Sequence, residues 1–355
     1  MQSHSSVPSL RSAEDLYVDS FERCRLSFGC PVFDEAFEGG LPLHGLSEVC
    51  GEAGSGKTQM CLQLAVSSVL PASCGGRGGK CCYLTTQGEG LFPVKRLEQL
   101  CARGASLAPS SEGLTKDGLM DRVLIRACGS VEALFDVIDN DLARLMADGQ
   151  VACVIIDSVA GAFRGDEDYD SPKATPGSLS TNTSSTGIGN SVSARASSSS
   201  SSNSRISSNN YSSGNGQNGA IGQARARDLF LFAAHLRRLS FLHHAPVVVV
   251  NQATAHFGSG GDYHSGGSSE YAHVHSDARA AFPDINVKPA LGLTWTTCVN
   301  RRLMLIRRPV LRHNGSGGPV PDGGMWRRDA LLMLSPSAPF GSVQYSISAD
   351  GIAAI

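Results

Sequence analysis

The chain has 355 residues, 41% of them hydrophobic and 17% charged, with a formal net charge of -2. That supplies a core for one large domain or two small ones. It also excludes a globally basic surface, so contact with nucleic acid has to come from a local patch or an assembly. The eleven cysteines form no CxxC pair, which argues against a zinc site and for buried thiols in a reducing compartment. The polar N-terminus has no apolar core of a leader, and no run reaches about 18 apolar residues, so neither a signal peptide nor a membrane span is expected.

Residues 1–25 read as a flexible tail. After a Gly-Gly turn and Pro42, the run Leu46 to Cys50 reads as a strand, and apolar spacing predicts a helix from Thr58 to about Leu70. KCCYLTT (80–86) is a second strand, and Pro93 suits the first turn of a helix through Leu97 and Leu100. Arg122 to Arg126 is a third strand. Ser130 is an N-cap for a helix carrying Val131, Leu134, Phe135, Ile138, Leu142, Leu145 and Met146 on one face, closed by Gly149.

VACVIID (151–157) is a continuous apolar run ending in an acid, the pattern of a central parallel strand buried on both faces. A helix from about Gln223 to His244 and the run PVVVVNQ (246–252) continue the alternation. LGLTW, RRLMLI, ALLML and VQYSIS read as strands at an antiparallel end of the same sheet. The order predicts an α/β fold, a mostly parallel sheet flanked by helices with antiparallel C-terminal strands. Residues 165–222, rich in Ser, Asn and Gly, lack the apolar content to offset their ordering entropy and read as a disordered insertion. The ordered domain is therefore expected over 26–164 and 223–355.

Gly51-Glu52-Ala53-Gly54-Ser55-Gly56-Lys57-Thr58 fits G-x-x-x-x-G-K-[ST] between a strand and a helix. Gly54 and Gly56 let backbone N–H groups turn toward phosphates, and the helix aims its N-terminal N–H groups at the same anion. Lys57 can reach the β- and γ-phosphates of ATP, and the Thr58 hydroxyl can ligate Mg²⁺. Asp157, closing its buried strand, is the partner for that metal.

With these motifs in place, GEAGSGKTQ including Gln59, then YLTT and FPVKRLEQL, VIIDSVAGAFR and VVVVNQ resemble the RecA/RadA recombinase superfamily. LSFGCPVFDEAFEGGLPLHGLSEVCG, IIDSVAGAFRGD, KPALGLTW and VQYSISADG are similar, within it, to the eukaryotic recombinase paralogues. The resemblance covers residues 26–164 and 223–352. It implies a RecA-like P-loop ATPase core using ATP and Mg²⁺, with single-stranded and branched DNA as ligands. It also implies a second, C-type paralogue as heterodimer partner, action on the strand-exchange recombinase filament, and a nuclear location.

The resemblance places Gln252 as the γ-phosphate sensor and Arg96 near the adenine. It leaves the catalytic position open: counting back from FPVKRL gives Glu89, and counting forward from Tyr83 gives Gln87. Only Glu89 is a good proton acceptor. The family's small N-terminal helical domain has no counterpart in the 25 residues before the core. The insertion falls on the first DNA-binding loop, flanked by Arg164, Arg225 and Arg227, which can neutralise phosphates. The second such loop follows Thr254 and carries Phe257, Tyr263 and Tyr271 as candidate base-stacking groups. The family's protomer-joining FxxA pattern occurs as Phe33-Asp34-Glu35-Ala36, but its place at the start of the core reads as packing. Three functions fit: an ATP-dependent recombination mediator with slow hydrolysis, a strand-exchange recombinase, or a nucleotide-binding structural subunit without turnover.

Overall fold

The computed structural model describes residues 12–13, 25–163, 215–255, 287–312 and 320–355. Expectations for Arg164, for most of the Ser-rich insertion, and for Phe257, Tyr263 and Tyr271 lie outside these residues.

The chain enters through a short helix, α1 (Pro31–Ala36), started by its proline. Phe33 is fully buried, with its ring against Phe28, Phe37 and Tyr345 at centroid distances of 5.9, 5.6 and 5.8 Å. The FDEA stretch is thus core packing, as its position suggested. Strand β1 (Leu46–Gly51) leads into α2 (Lys57–Val69), which is buried from Met60 to its end, packed between the sheet and the neighbouring segments of its layer.

Next come β2 (Lys80–Thr85) and α3 (Val94–Leu107), which follows Pro93 and buries Leu97, Leu100, Cys101 and Gly104 at helical spacing. A Cβ on Gly104 would stand 3.1 Å from Val66 Cγ1, so the glycine lets α3 lie close on α2. α4 (Lys116–Met120) precedes β3 (Val123–Ala127). Ser130 caps α5 (Val131–Asp136), its hydroxyl oxygen accepting from the Ala133 N–H at 3.2 Å.

The expected single helix from Ser130 to Gly149 instead has three parts: α5, a π-helical turn over Val137–Leu142, and α6 (Ala143–Ala147). Its buried residues Val131, Leu134, Ile138, Leu142 and Met146 keep facing the sheet across the wider turn. β4 (Val151–Asp157) matches its predicted bounds and is buried through Ile156.

α7 (Val159–Phe163) closes the first half of the chain. α8 (Asn215–His243) begins eight residues before the expected Gln223, inside the segment assigned to the insertion. β5 (Val247–Ala255) and the short β6 (Val287–Pro289) follow.

LGLTW, read as a strand, is a helix, α9 (Gly292–Thr296), entered through Leu291 at φ 68°. Five apolar or small residues carry no decisive period. Burial of Trp295 at 0% exposure sets the outcome. β7 (Arg301–Arg312), β8 (Val320–Leu334), β9 (Gly341–Ser348) and β10 (Gly351–Ala354) complete the chain.

The sheet runs β10-β9-β8-β7-β1-β5-β4-β2-β3, with β6 attached to β5. β7 pairs parallel to β1, a correction to the reading that put all C-terminal strands at the antiparallel end. β8, β9 and β10 are antiparallel as expected. One helix layer, α1 to α4, packs with Phe33, Met60, Leu64 and Leu97 in its core. The opposite layer, α5 to α9, packs around Leu134, Phe163, Phe232 and Trp295. Among the described residues no helix is long and apolar enough to cross a membrane. All ten described cysteines are free thiols, and all but Cys74 are buried.

Candidate nucleotide site

Parallel strands end on one edge of the sheet, and there the sequence-predicted residues converge. Gly51 at the end of β1 is in register with Gln252 of β5 and Leu305 of β7, while Asp157 of β4 is in register with Thr85 of β2 and Val250 of β5. Such carboxyl edges are where open α/β sheets hold ligands.

The loop from Gly51 to Gly56 joins β1 to α2. Gly56 is the N-cap of α2 at φ 106°, and no side chain caps the helix. A Cβ at Gly56 would stand 2.8 Å from Ile347 Cδ1, and one at Gly54, at φ 75°, would stand 2.5 Å from Arg307 Nη1. Both positions favour glycine for their left-handed conformation, and a side chain there would also displace Ile347 or Arg307. The loop is braced from outside, since the Tyr345 hydroxyl donates to the Ser55 carbonyl and Glu52 Oε1 accepts from the Arg307 N–H at 3.1 Å.

Lys57 Nζ donates to the carbonyls of Gly51 and Glu52, each at 2.8 Å, so the ammonium is folded over the loop. Burial pulls its pKa below the usual lysine value, opposed by the nearby Asp157 charge. Thr58 Oγ1 donates to Asp157 Oδ2 at 2.9 Å, and Tyr83 donates its hydroxyl to the same oxygen at 2.8 Å. Burial, with Cys61 and Asp157 nearby, pushes the Tyr83 phenol well above its usual value, so it remains a donor.

Ser55 Oγ is buried without a hydrogen-bond partner. A buried unpaired hydroxyl is costly, which makes it a group reserved for a polar ligand in the loop. That orphan, the two left-handed glycines, a half-buried lysine and a hydroxyl–carboxylate pair fit a Mg²⁺-bound triphosphate in donor type and sign of charge.

The other expected residues lie as follows. Gln252 is exposed, and its N–H donates to Asn251 Oδ1 at 2.8 Å. Ala53 is exposed on the loop. Glu89, in a single tight turn (Glu89–Leu91), and Gln87 are both exposed beyond β2. Arg96, expected near the adenine, donates through Nε to Gln59 Oε1 at 2.7 Å, through Nη1 to the Ala349 carbonyl at 2.7 Å and through Nη2 to the Ser348 carbonyl at 2.6 Å. Its guanidinium thereby ties the β9–β10 turn to α2. Arg227 pairs with its neighbour Asp228 at 3.0 Å, and Arg225 is half-buried near the start of α8.

Sequence reasoning passed over Tyr83, Tyr345 and Arg307. Arg307 lies over Gly54 with its Cζ 3.7 Å from the centroid of the Trp326 ring. Only strand pairing brings it there, two residues beyond the β7 position in register with Gly51.

The Rad51 family model matches residues 21–171, which include the loop, Asp157 and both candidate catalytic positions. Over 330 residues the chain is 29% identical to the DNA repair protein XRCC3 of Bos taurus, covering 92% of this chain and 74% of that protein. The chain is similar to the RecA/RadA-type recombinase superfamily. It is also 26% identical over 350 residues to the DNA repair protein XRCC3 homolog of Arabidopsis thaliana, across 96% of this chain and 97% of that one. With the DNA repair and recombination protein RadA of Aeropyrum pernix it shares 36% over 163 residues, 44% of this chain and 46% of that protein. The parallel strands carry the loop after β1, and the antiparallel strands brace it through Tyr345.

Proposed function

We propose that this chain is an ATP-dependent, DNA-binding recombination mediator, a recombinase paralogue acting in homologous-recombination repair of double-strand breaks and cross-links. The reading rests on the meeting of Lys57, Thr58 and Asp157 at the carboxyl edge of the sheet. ATP with Mg²⁺ supplies the phosphoanhydride whose presence or absence sets the state of the protein. Gly51 to Gly56 and the start of α2 present N–H groups to phosphates, and Lys57 exchanges its two carbonyl acceptors for phosphate oxygens. Thr58 and Asp157 would hold the metal, and Gln252 would meet the terminal phosphate. Glu89 is the proton acceptor for water; Gln87, the alternative at that position, orients water without taking its proton.

Single-stranded and branched DNA are the proposed polymer ligands, with Arg164, Arg225 and Arg227 as phosphate contacts. The partner is a second, C-type paralogue, and the substrate assembly is the recombinase filament in the nucleus. β3 is the last strand of its side of the sheet. Beside it lies an apolar cavity of about 480 Å³ lined by Leu84, Leu124, Val137, Leu142 and Leu145. Among the described residues no strand pairs with the outer edge of β3, and that edge next to such a cavity suits an extended partner segment that adds as a strand and buries one large side chain.

The test is uptake of labelled ATP with magnesium, alone and with the partner paralogue, followed by single-strand binding across a salt series. ATP-dependent DNA affinity that falls with salt supports the reading. Folded protein that takes up no ATP under either condition refutes it.

The reading without turnover is favoured by one observation: Glu89 and Gln87 are both exposed, and neither is bonded to the phosphate loop. Substituting Lys57→Ala separates the two. If partner assembly is lost although wild-type protein releases no phosphate, ATP serves only to lock an interface.

A further inference from the structure

Glu48 is 1% exposed in the middle of a central strand. A carboxylate is a costly occupant of that position. Its register partners are Val249 on β5 and Arg302 on β7. Every side of the carboxylate is engaged. Oε1 accepts from Asn251 Nδ2 at 2.7 Å and from Trp295 Nε1 at 2.9 Å, and Oε2 accepts from Arg302 Nε. Arg302 is itself 1% exposed and donates through Nη2 to Thr296 Oγ1 at 3.1 Å.

The network leads to one backbone position. Asn251 Oδ1 accepts from the Gln252 N–H at 2.8 Å, and Asn251 Nδ2 also donates to the Ala290 carbonyl at 2.9 Å. The Gln252 carbonyl in turn accepts from the Ala290 N–H at 2.7 Å. One buried carboxylate therefore fixes the residue before Gln252, the end of the β6 segment and, through Trp295 and Thr296, helix α9.

Stability alone does not account for this arrangement, because a buried ion pair is commonly replaceable by apolar residues of similar volume without loss of stability. What a saturated polar network adds is a single orientation of the groups attached to it. We propose that Glu48 is a positioning residue for Gln252: it holds the strand end so that the Gln252 side chain meets the terminal phosphate, and so sets the preference of the site for a nucleoside triphosphate over a diphosphate. The inference rests on the nucleotide reading above and adds a residue and a role to it.

The experiment compares the affinities of ADP and of a slowly hydrolysed ATP analogue, with magnesium, in wild type and three variants. Trp295→Phe removes one donor and keeps the ring. Glu48→Gln changes the acceptor to an amide. The double variant Glu48→Leu with Arg302→Met replaces the pair by apolar groups, so that neither charge is left buried alone, and a thermal melt of each variant identifies the folded ones. Wild type is expected to prefer the triphosphate, and the folded variants to lose about tenfold of that preference while keeping their ADP affinity. Amide exchange at Ala290 is expected to slow on triphosphate binding in wild type and not in the double variant. A double variant with unchanged melting temperature and an unchanged ratio of affinities overturns the proposal. Wild-type protein that binds neither nucleotide instead overturns the functional reading on which it rests.

Discussion

Thr58 and Asp157 lie 99 positions apart and are joined by a 2.9 Å hydrogen bond between the Thr58 hydroxyl and Asp157 Oδ2. Tyr83 donates to the same oxygen at 2.8 Å. Asp157→Ala is expected to weaken the magnesium-dependent part of ATP binding by roughly tenfold to a hundredfold. Binding measured in EDTA should change little. The substitution also strands two hydroxyl donors, at a stability cost of about 1–3 kcal/mol. Titrations with and without magnesium, paired with thermal melts, check both effects.

Ser55 gives the opposite sign for stability. Its hydroxyl is buried without a partner, so Ser55→Ala removes an unsatisfied group. The nucleotide-free protein is expected to be unchanged or more stable by up to about 1 kcal/mol. Its ATP affinity should fall. A melt showing clear destabilisation, or binding equal to wild type, would contradict a ligand-facing hydroxyl.

Gly54 stands at φ 75° beneath Arg307, whose Nη1 would lie 2.5 Å from an added Cβ. Gly54→Ala is expected to cost about 1–2 kcal/mol for the left-handed conformation, plus the displacement of Arg307. Adding Arg307→Ala removes the clash and leaves the backbone penalty. The double variant should therefore be less destabilised than the two single effects summed, a non-additivity that denaturant titration measures.

The pH dependence of stability follows from the buried thiols and phenols. Burial raises Cys82 to about 12 and Cys101 to about 11 and pushes Cys61 and Tyr83 well above their usual values, while a hydrogen bond with Cys153, together with burial, does the same for Cys81. In the unfolded chain these groups lose protons first, from near pH 9 for the thiols. Above that pH the unfolded state binds fewer protons than the native state, so stability falls as pH rises toward the folded values. Lys57, shifted down, contributes the opposite slope below its usual value, but one lysine is outweighed by several thiols. Melting temperature should decline from about pH 9 upward, and Cys82→Ala should flatten part of the decline.

The sequence by itself determined the Gly51–Thr58 loop between a strand and a helix, because the spacing of its glycines and lysine is a local pattern. It also determined β4, whose unbroken apolar run has few alternatives, and the helix boundaries at Ser130 and Gly149, where capping is settled within a few residues. Tertiary structure decided the rest. LGLTW became helix α9 because the Trp295 indole reaches Glu48, a partner 247 positions away in the chain. β7 lies parallel beside β1, and only that pairing brings Arg307 over Gly54. Tyr83 and Tyr345 are ordinary strand residues until strand order places one at Asp157 and the other at Ser55. Periodicity reports which way a side chain points within its own element. Which groups meet at the sheet edge depends on the order of the strands, and that order is set by burial of the whole chain.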